Sequence, residues 1–329
     1  MEYKNLGHSG LKVSVVGLGC MNFGMMNDAS ESAGIVNKAI ELGVNLFDTA
    51  DVYGERGKSE EFLGKALGDR RQEVIIATKF AGPMSSKRFD MQGGSRRYIM
   101  QAVEASLSRL GTDYIDLYQM HRFDADTPIE ESLRALDDLV RQGKVRYAGC
   151  SNYAAWQITD AEWTARSANL NGFVSVQNRY SLLTRDIEKE VVPACDKFGL
   201  GILPYFPLES GLLTGKYPKG EPAPEGTRLQ KWANFAASSF SSDDKVDKVE
   251  ALREVCDRYD HALLDMAMGW LASRPTVSSV IAGVTSTQQL EQNVKAGLWR
   301  PTDTELAEID EITAPPVESF GPPARKPEK

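Results

Sequence analysis

Cysteine and histidine are scarce in this chain. The four cysteines, Cys20, Cys150, Cys195 and Cys256, are scattered without CxxC spacing, so neither a disulfide framework nor a thiolate metal site is expected and all read as reduced thiols. The three histidines, His8, His121 and His261, lie far apart and outside any HExxH grouping, which predicts no dedicated metal site. No apolar run approaches the ~20 residues of a bilayer-spanning helix. Met1-Glu2-Tyr3-Lys4-Asn5 lacks the apolar core of a signal peptide, so no membrane association and a cytoplasmic location are expected. Positive charge is short as well: 38 Lys and Arg against 46 Asp and Glu leave a formal charge of -8. That balance disfavours nucleic acid as a partner, while a local basic patch could still hold one phosphate group. No self-similar period stands out, which argues against a solenoid.

What is present is the material of one large core, with 42% hydrophobic and 26% charged residues in 329. Residues 3–13, with the turn Gly7-His8-Ser9-Gly10, read as a hairpin able to plug a barrel floor. Strand-like runs are expected at 14–19, 45–49, 73–78, 114–120, 145–150, 173–177, 201–205 and 277–282. Helical periods fall between and after them, at 31–42, 58–67, 96–110, 129–142, 154–166, around 186–198, at 261–273 and at 287–296. A polar, Pro-containing segment spans 209–243. Eight β-then-α units predict an α/β fold of the (β/α)8 TIM-barrel type, with an N-terminal hairpin and an extra C-terminal helix at 303–312. One domain over 1–314 is expected, followed by a Pro-rich, charged tail at 315–329.

Polar residues punctuate the strand ends. Asp48, Tyr53, Lys79 and His121 follow the early runs, and Ser151, Asn152, Gln177 and Tyr205 follow the next three. On a barrel these converge at the C-terminal rim, where function gathers. A free phenol titrates near ~10, and an ammonium beside it lowers that value. Lys79 would be that ammonium, Asp48 would hold it charged, and Tyr53 would then give or take a proton at a carbonyl oxygen. His121 would donate a hydrogen bond to the same oxygen. No side chain delivers a hydride, so the chemistry demands a cofactor, and nicotinamide is the ordinary donor. Ser151, Asn152 and Gln177 offer groups to fix its carboxamide and Tyr205 a ring to stack on it; residues 210–216 offer small residues and Lys216 for phosphate. There is no Rossmann GxGxxG, and Gly17-Leu18-Gly19 alone is a weak signal.

Phe47-Asp48-Thr49-Ala50-Asp51-Val52-Tyr53-Gly54, Ala77-Thr78-Lys79, Asp116-Leu117-Tyr118-Gln119-Met120-His121, Gly149-Cys150-Ser151-Asn152 and Tyr205-Phe206-Pro207-Leu208 together resemble the aldo-keto reductase superfamily. The branch is that of many bacterial reductases and the β-subunits of voltage-gated potassium channels, and the likeness runs from Leu11 to Asn293. The resemblance implies a (β/α)8 barrel that reduces aldehydes or ketones, with NADP(H) preferred and NAD(H) left open. Asp48, Tyr53, Lys79 and His121 match its catalytic tetrad. Ser151, Asn152, Gln177 and Tyr205 match its nicotinamide positions, and Leu208, Gly211, Leu213 and Lys216 its pyrophosphate-covering loop. Gly19, Cys20, Met21, Asp48, Phe206 and Pro207 extend the cofactor set. Arg228 looks like the arginine for the 2′-phosphate, and Gly283, Thr285, Gln289, Gln292 and Asn293 fall at the adenosine end.

Three positions depart from the pattern: Phe206 stands where Ser is frequent, Gln292 where Glu is, and Thr285 where many relatives carry Arg or Lys. The channel subunits often have asparagine at the His121 position, so histidine here favours a working enzyme over a regulatory subunit. Met21, Phe23, Phe80 and Phe123, with Tyr53 and His121, are expected to line the pocket for a small carbonyl substrate. Two alternatives stand beside this reading: a nucleotide-binding regulatory subunit, and a lyase using Lys79 as a Schiff base. Substrate identity and a homo-oligomeric state are left open.

Overall fold

The computed structural model describes residues 1–217 and 242–315; Arg228 and, residue 315 apart, the expected tail lie outside the described residues. The chain opens with an antiparallel hairpin, β1 (Tyr3–Asn5) against β2 (Lys12–Ser14), turning where Gly7 to Gly10 predict. Then follow β3 (Val16–Gly19), α1 (Ala29–Glu41), β4 (Leu46–Asp48), α2 (Tyr53–Leu67), β5 (Ile75–Phe80), α3 (Arg96–Leu110) and β6 (Ile115–Met120). The second half runs α4 (Ile129–Arg141), β7 (Val145–Ser151), α5 (Ala155–Ser167), β8 (Phe173–Gln177), α6 (Val191–Phe198) and β9 (Gly201–Ile202). It ends with α7 (Asp243–Tyr259), α8 (Leu263–Ser273), β10 (Val280–Gly283), α9 (Thr287–Gly297) and α10 (Asp303–Thr313).

The eight strands from β3 onward form one parallel sheet in the order β10-β3-β4-β5-β6-β7-β8-β9. Backbone bonds join its two ends: Ile202 N to Thr276 O at 2.8 Å, Ser278 N to Ile202 O at 3.0 Å and Ile281 N to Pro204 O at 2.9 Å. The sheet therefore closes into a (β/α)8 barrel with helices outside. Strands covered on both faces need near-continuous apolar runs, which Ile75-Ile76-Ala77 and its counterparts supply. In α4, Leu133, Leu136 and Leu139 fall on one buried stripe.

Local chemistry fixes the element ends. Ser95 caps α3 by accepting from the Tyr98 amide, and Gly111 ends it in the left-handed region at φ 64. The hairpin plugs the barrel floor: Leu6 and Val13 are buried with Leu46, Ala77, Leu117, Leu203 and Ile281 in one cluster. Gly7 makes that approach possible, since a Cβ there would meet the Gly199 carbonyl oxygen at 2.5 Å.

Some boundaries differ from the sequence pattern. The segment read as irregular up to 243 gives way to a long helix, α7, which the pattern passes over. The helix expected around 186–198 is a 3-10 turn, Asp186–Glu188, followed by α6. The strand expected at 201–205 is regular only over Gly201–Ile202; beyond it single bonds continue toward β8, Leu203 N to Val176 O at 2.9 Å and Tyr205 N to Asn178 O at 3.1 Å, and Pro204 offers no N–H to the opposite edge. Among the described residues no helix is long and apolar enough to cross a membrane.

Candidate active site

The barrel topology delivers β10, β3, β4, β5, β6, β7 and β8 side by side, so residues at their C-terminal ends meet at one rim. A cavity of about 1060 Å3 opens there. Of the residues expected from sequence, Gly19, Met21, Asp48, Tyr53, His121, Ser151, Asn152, Gln177, Tyr205, Phe206, Pro207, Leu208, Gly211, Lys216, Gly283, Thr285, Gln289, Gln292 and Asn293 line it. Lys79 lies behind this wall, fully buried, and reaches it through Asp48.

Several expected pocket residues are elsewhere. Cys20 is fully buried beside Asp48 and does not line the cavity; burial pushes its thiol well above the usual range. Phe23, Phe80 and Leu213 belong to the core, Phe80 stacked on Tyr118 at 4.7 Å between ring centroids. Phe123 packs on Tyr153 and Trp156 instead. In each case an apolar side chain packed into the core rather than over the rim, a choice that sequence position does not specify. Conversely, Asn22, Ala262, Leu264, Asp265 and Lys295 line the cavity unannounced. The last four come from the starts and faces of α8 and α9, placed by barrel closure rather than by a local motif.

At the cavity floor the Lys79 Nζ lies 2.6 Å from Asp48 Oδ2 and donates also to the Thr49 carbonyl at 2.8 Å. The other Asp48 oxygen accepts the side-chain amides of Gln177 at 2.7 Å and Gln119 at 3.2 Å. Gln119, on β6, has no sequence signal beyond its place in the strand. Gln177 thus commits one donor to the floor of the site. Burial alone would pull the Lys79 ammonium down, but Asp48 and Tyr53 outweigh it and its pKa lies above the ordinary value.

The ammonium sits 5.0 Å from the Tyr53 ring centroid, and the Tyr53 and His121 rings meet edge to face at 5.7 Å. The phenol departs from the sequence expectation. Burial raises its pKa more than Lys79 lowers it, with Asp48 adding to the rise, so the net direction is upward and Tyr53 stays protonated at neutral pH. His121 is pushed down to about 3 by burial and then by Lys79 and Arg122, so its imidazole is neutral and can donate from only one nitrogen. Its Nδ1 is buried without a hydrogen-bond partner.

The walls suit a dinucleotide. Asn152 adopts φ 59, a left-handed backbone, and its amide bridges Ser151, the His121 carbonyl and the Tyr205 hydroxyl, the last at 2.6 Å. The loop after β9 also runs left-handed at Phe206, Glu209 and Ser210, conformations that cost about 1–3 kcal/mol each and gather at ligand sites. The Ser210 hydroxyl is buried without a partner on the cavity wall. Gly211 beside it has φ 97, and a Cβ there would meet Lys216 Cε at 2.7 Å. Free backbone approach, an orphaned hydroxyl and a cation together fit the phosphates of a nicotinamide dinucleotide.

The family model for the Aldo/keto reductase family matches residues 15–314. The chain belongs to this family. Among similar aldo/keto reductase relatives, a probable voltage-gated potassium channel subunit beta of Arabidopsis thaliana is 40% identical over 90% of this chain and 91% of its own. An uncharacterized oxidoreductase of Bacillus subtilis is 38% identical over 90% of this chain and 91% of its own. The versiconal hemiacetal acetate reductase of Aspergillus parasiticus is 34% identical over 96% of this chain and 98% of its own. Membership and these oxidoreductase relatives support carbonyl reduction in general, and family members generally use nicotinamide cofactors.

Proposed function

We propose that this protein catalyses NADPH-dependent reduction of aldehydes or ketones to alcohols, reversibly, with Tyr53 as the proton donor assisted by Lys79, Asp48 and His121. The observation that carries the reading is the buried Asp48–Lys79 pair beneath Tyr53, with neutral His121 beside it, at the floor of a cavity of dinucleotide size.

When bound, the reduced nicotinamide supplies the hydride. The chain's own groups do the rest. Tyr53 passes its proton to the carbonyl oxygen, and Lys79 stabilises the phenolate left behind at the moment it forms. Asp48, fixed by two amides, keeps the ammonium charged and aimed. His121 donates to the same oxygen and so stabilises developing negative charge. Ser151, Asn152 and Tyr205 would hold the nicotinamide end, residues 210–216 the phosphates, and Thr285, Gln289, Gln292 and Asn293 the adenosine. Lys216 supports a preference for the extra phosphate, because charge-assisted contacts are strong to a dianion. Four buried free thiols fit a reducing compartment, and we place the enzyme in the cytoplasm as one catalytic domain over 1–314.

A purified preparation screened across aldehydes, ketones, quinones and sugar aldehydes should consume NADPH, followed by loss of its near-ultraviolet absorbance. Tyr53→Phe should lower turnover by ~1000-fold with nearly unchanged NADPH affinity; unaltered turnover in that variant would overturn the assignment. The 40% identical relative named as a channel subunit favours a second reading, a nucleotide-holding regulatory subunit. Stable NADPH binding without oxidation by any carbonyl in the screen would select it. The Schiff-base lyase is disfavoured: such a nucleophile must be a neutral, accessible amine, and Lys79 is buried with its pKa raised.

A further inference from the structure

Immediately behind the catalytic floor lies a second polar cluster that takes no part in the mechanism above. Asp51 belongs to the stretch between Asp48 and Tyr53, and its amide donates to the Lys79 carbonyl at 3.1 Å. Its side chain is buried, and neither carboxyl oxygen meets a donor at hydrogen-bond geometry. The hydroxyls of Tyr98 on α3 and Tyr118 on β6 are likewise buried without partners. Both feel the charge of Asp51, and the Tyr98 hydroxyl faces it as a weak, poorly aligned hydrogen-bond partner as well. On α2, Glu60 is fully buried; it accepts from Thr78 on β5 and binds Arg109 of α3 at 2.7 Å. Arg109 turns a further donor to Ser106.

Charge counting then singles out one group. Three carboxylates, Asp48, Asp51 and Glu60, share two cations in this region, among the described residues: Lys79 is taken by Asp48 and Arg109 by Glu60. A buried carboxylate without a counterion, its nearest donors, the Val52 amide and the Tyr98 hydroxyl, lying outside good hydrogen-bond geometry, is strongly disfavoured, and neutralisation is the way out. We propose that Asp51 carries this proton and acts as a positioning residue of the electrostatic kind, whose ionisation makes Tyr53 a weaker proton donor and so sets the alkaline limit of carbonyl reduction. The inference rests on the reductase reading.

The energetics of neighbouring groups agree. Burial first, then repulsion from Glu60, raises the Asp51 carboxyl to about 8, against the opposing pull of Arg109 and Lys79. Asp51 is in turn among the groups that push Tyr53 upward. Below that pH the carboxyl is neutral and the field of Lys79 acts on the phenol with Asp48 as its main opponent. As pH rises through it, a second negative charge appears nearby, Tyr53 holds its proton more tightly, and reduction slows before Tyr53 itself titrates.

The test is the pH dependence of kcat/KM for NADPH-dependent reduction, each enzyme normalised to its own plateau near neutrality. The parent should lose activity several-fold with a midpoint near 8, and Asp51→Asn, which is neutral at every pH, should stay flat through that range. Glu60→Gln removes a like charge and should move the midpoint to lower pH; it keeps the proposal testable should Asp51→Asn fail to fold, judged by circular dichroism and NADPH binding. Superimposable profiles for the parent and Asp51→Asn, or an unmoved midpoint in Glu60→Gln, would overturn it. If the parent oxidises no NADPH with any carbonyl, the reductase reading fails on its own account. Difference infrared spectroscopy then follows the carboxyl directly: a protonated band lost near 8 in the parent and missing from Asp51→Asn sustains the buried acid, and no such band refutes it.

Discussion

Asp48 joins stability to chemistry in a single carboxylate. It is the counterion of a fully buried ammonium and the acceptor for two amides from β6 and β8. Removing one partner of a buried pair leaves the other charge uncompensated, which costs about 3–5 kcal/mol. Asp48→Asn should therefore lower the urea midpoint by an amount of that order, while Asp48→Asn combined with Lys79→Met recovers much of the loss and stays inactive. A single variant with unchanged unfolding would show that the ammonium finds another partner. At this scale the strand-end polar residues were legible, since Asp48, Lys79 and His121 each terminate an apolar run. The direction of the Tyr53 pKa was not, because burial, the largest contribution, depends on what the rest of the barrel places over the ring.

The loop after β9 shows how an element holds an unfavourable backbone in place. Its 3-10 turn, Glu209–Thr214, begins with two left-handed residues, Glu209 at φ 46 and Ser210 at φ 56. The buried Glu209 carboxylate anchors that turn: it binds Arg179 and, at 2.9 Å, Lys245 of α7, and it accepts from the hydroxyls of Ser181 and Thr184. Burial would raise the Glu209 carboxyl, but its two cations bring it below the ordinary value. Glu209→Gln removes the charge that holds these groups, and the turn it anchors carries Ser210 and Gly211 on the cavity wall. NADPH should dissociate ~10-fold faster, a loss of about 1.4 kcal/mol, with little change in the carbonyl KM; stopped-flow displacement reads both the expected rise and its absence. That α7 forms the other half of this anchor was hard to read from the sequence. Its buried positions Val249, Leu252 and Cys256 do repeat at helical spacing, but the helix is otherwise charged and follows a long polar stretch. By contrast α3 was legible to both ends, because Ser95 and Gly111 carry capping chemistry in their own side chains and backbone freedom.

For the whole molecule, barrel closure separates a stability end from a functional end. Leu6 sits in the floor cluster with Leu46, Ala77, Leu117, Leu203 and Ile281, away from the rim cavity. Leu6→Ala should cost about 2–5 kcal/mol through lost burial and the space left behind, lowering the denaturant midpoint with kcat and KM unchanged. A matching loss of activity under native conditions would mean that floor and rim are coupled. The closing seam itself is irregular: β9 pairs with β8 over Ser175 and Val176, and its other edge meets 276–281 through isolated backbone bonds.

The sequence by itself determined the alternation of apolar runs and helical periods, hence the barrel, and it determined which polar residues stand at strand ends, because both are properties of consecutive residues. Only the tertiary structure decided which aromatic side chains face the cavity, that two glutamines share Asp48, and that Asp51 is left without a counterion beside Tyr53. Those outcomes turn on burial and on neighbours contributed by other elements, where the cost of desolvating a charge depends on everything that closes around it.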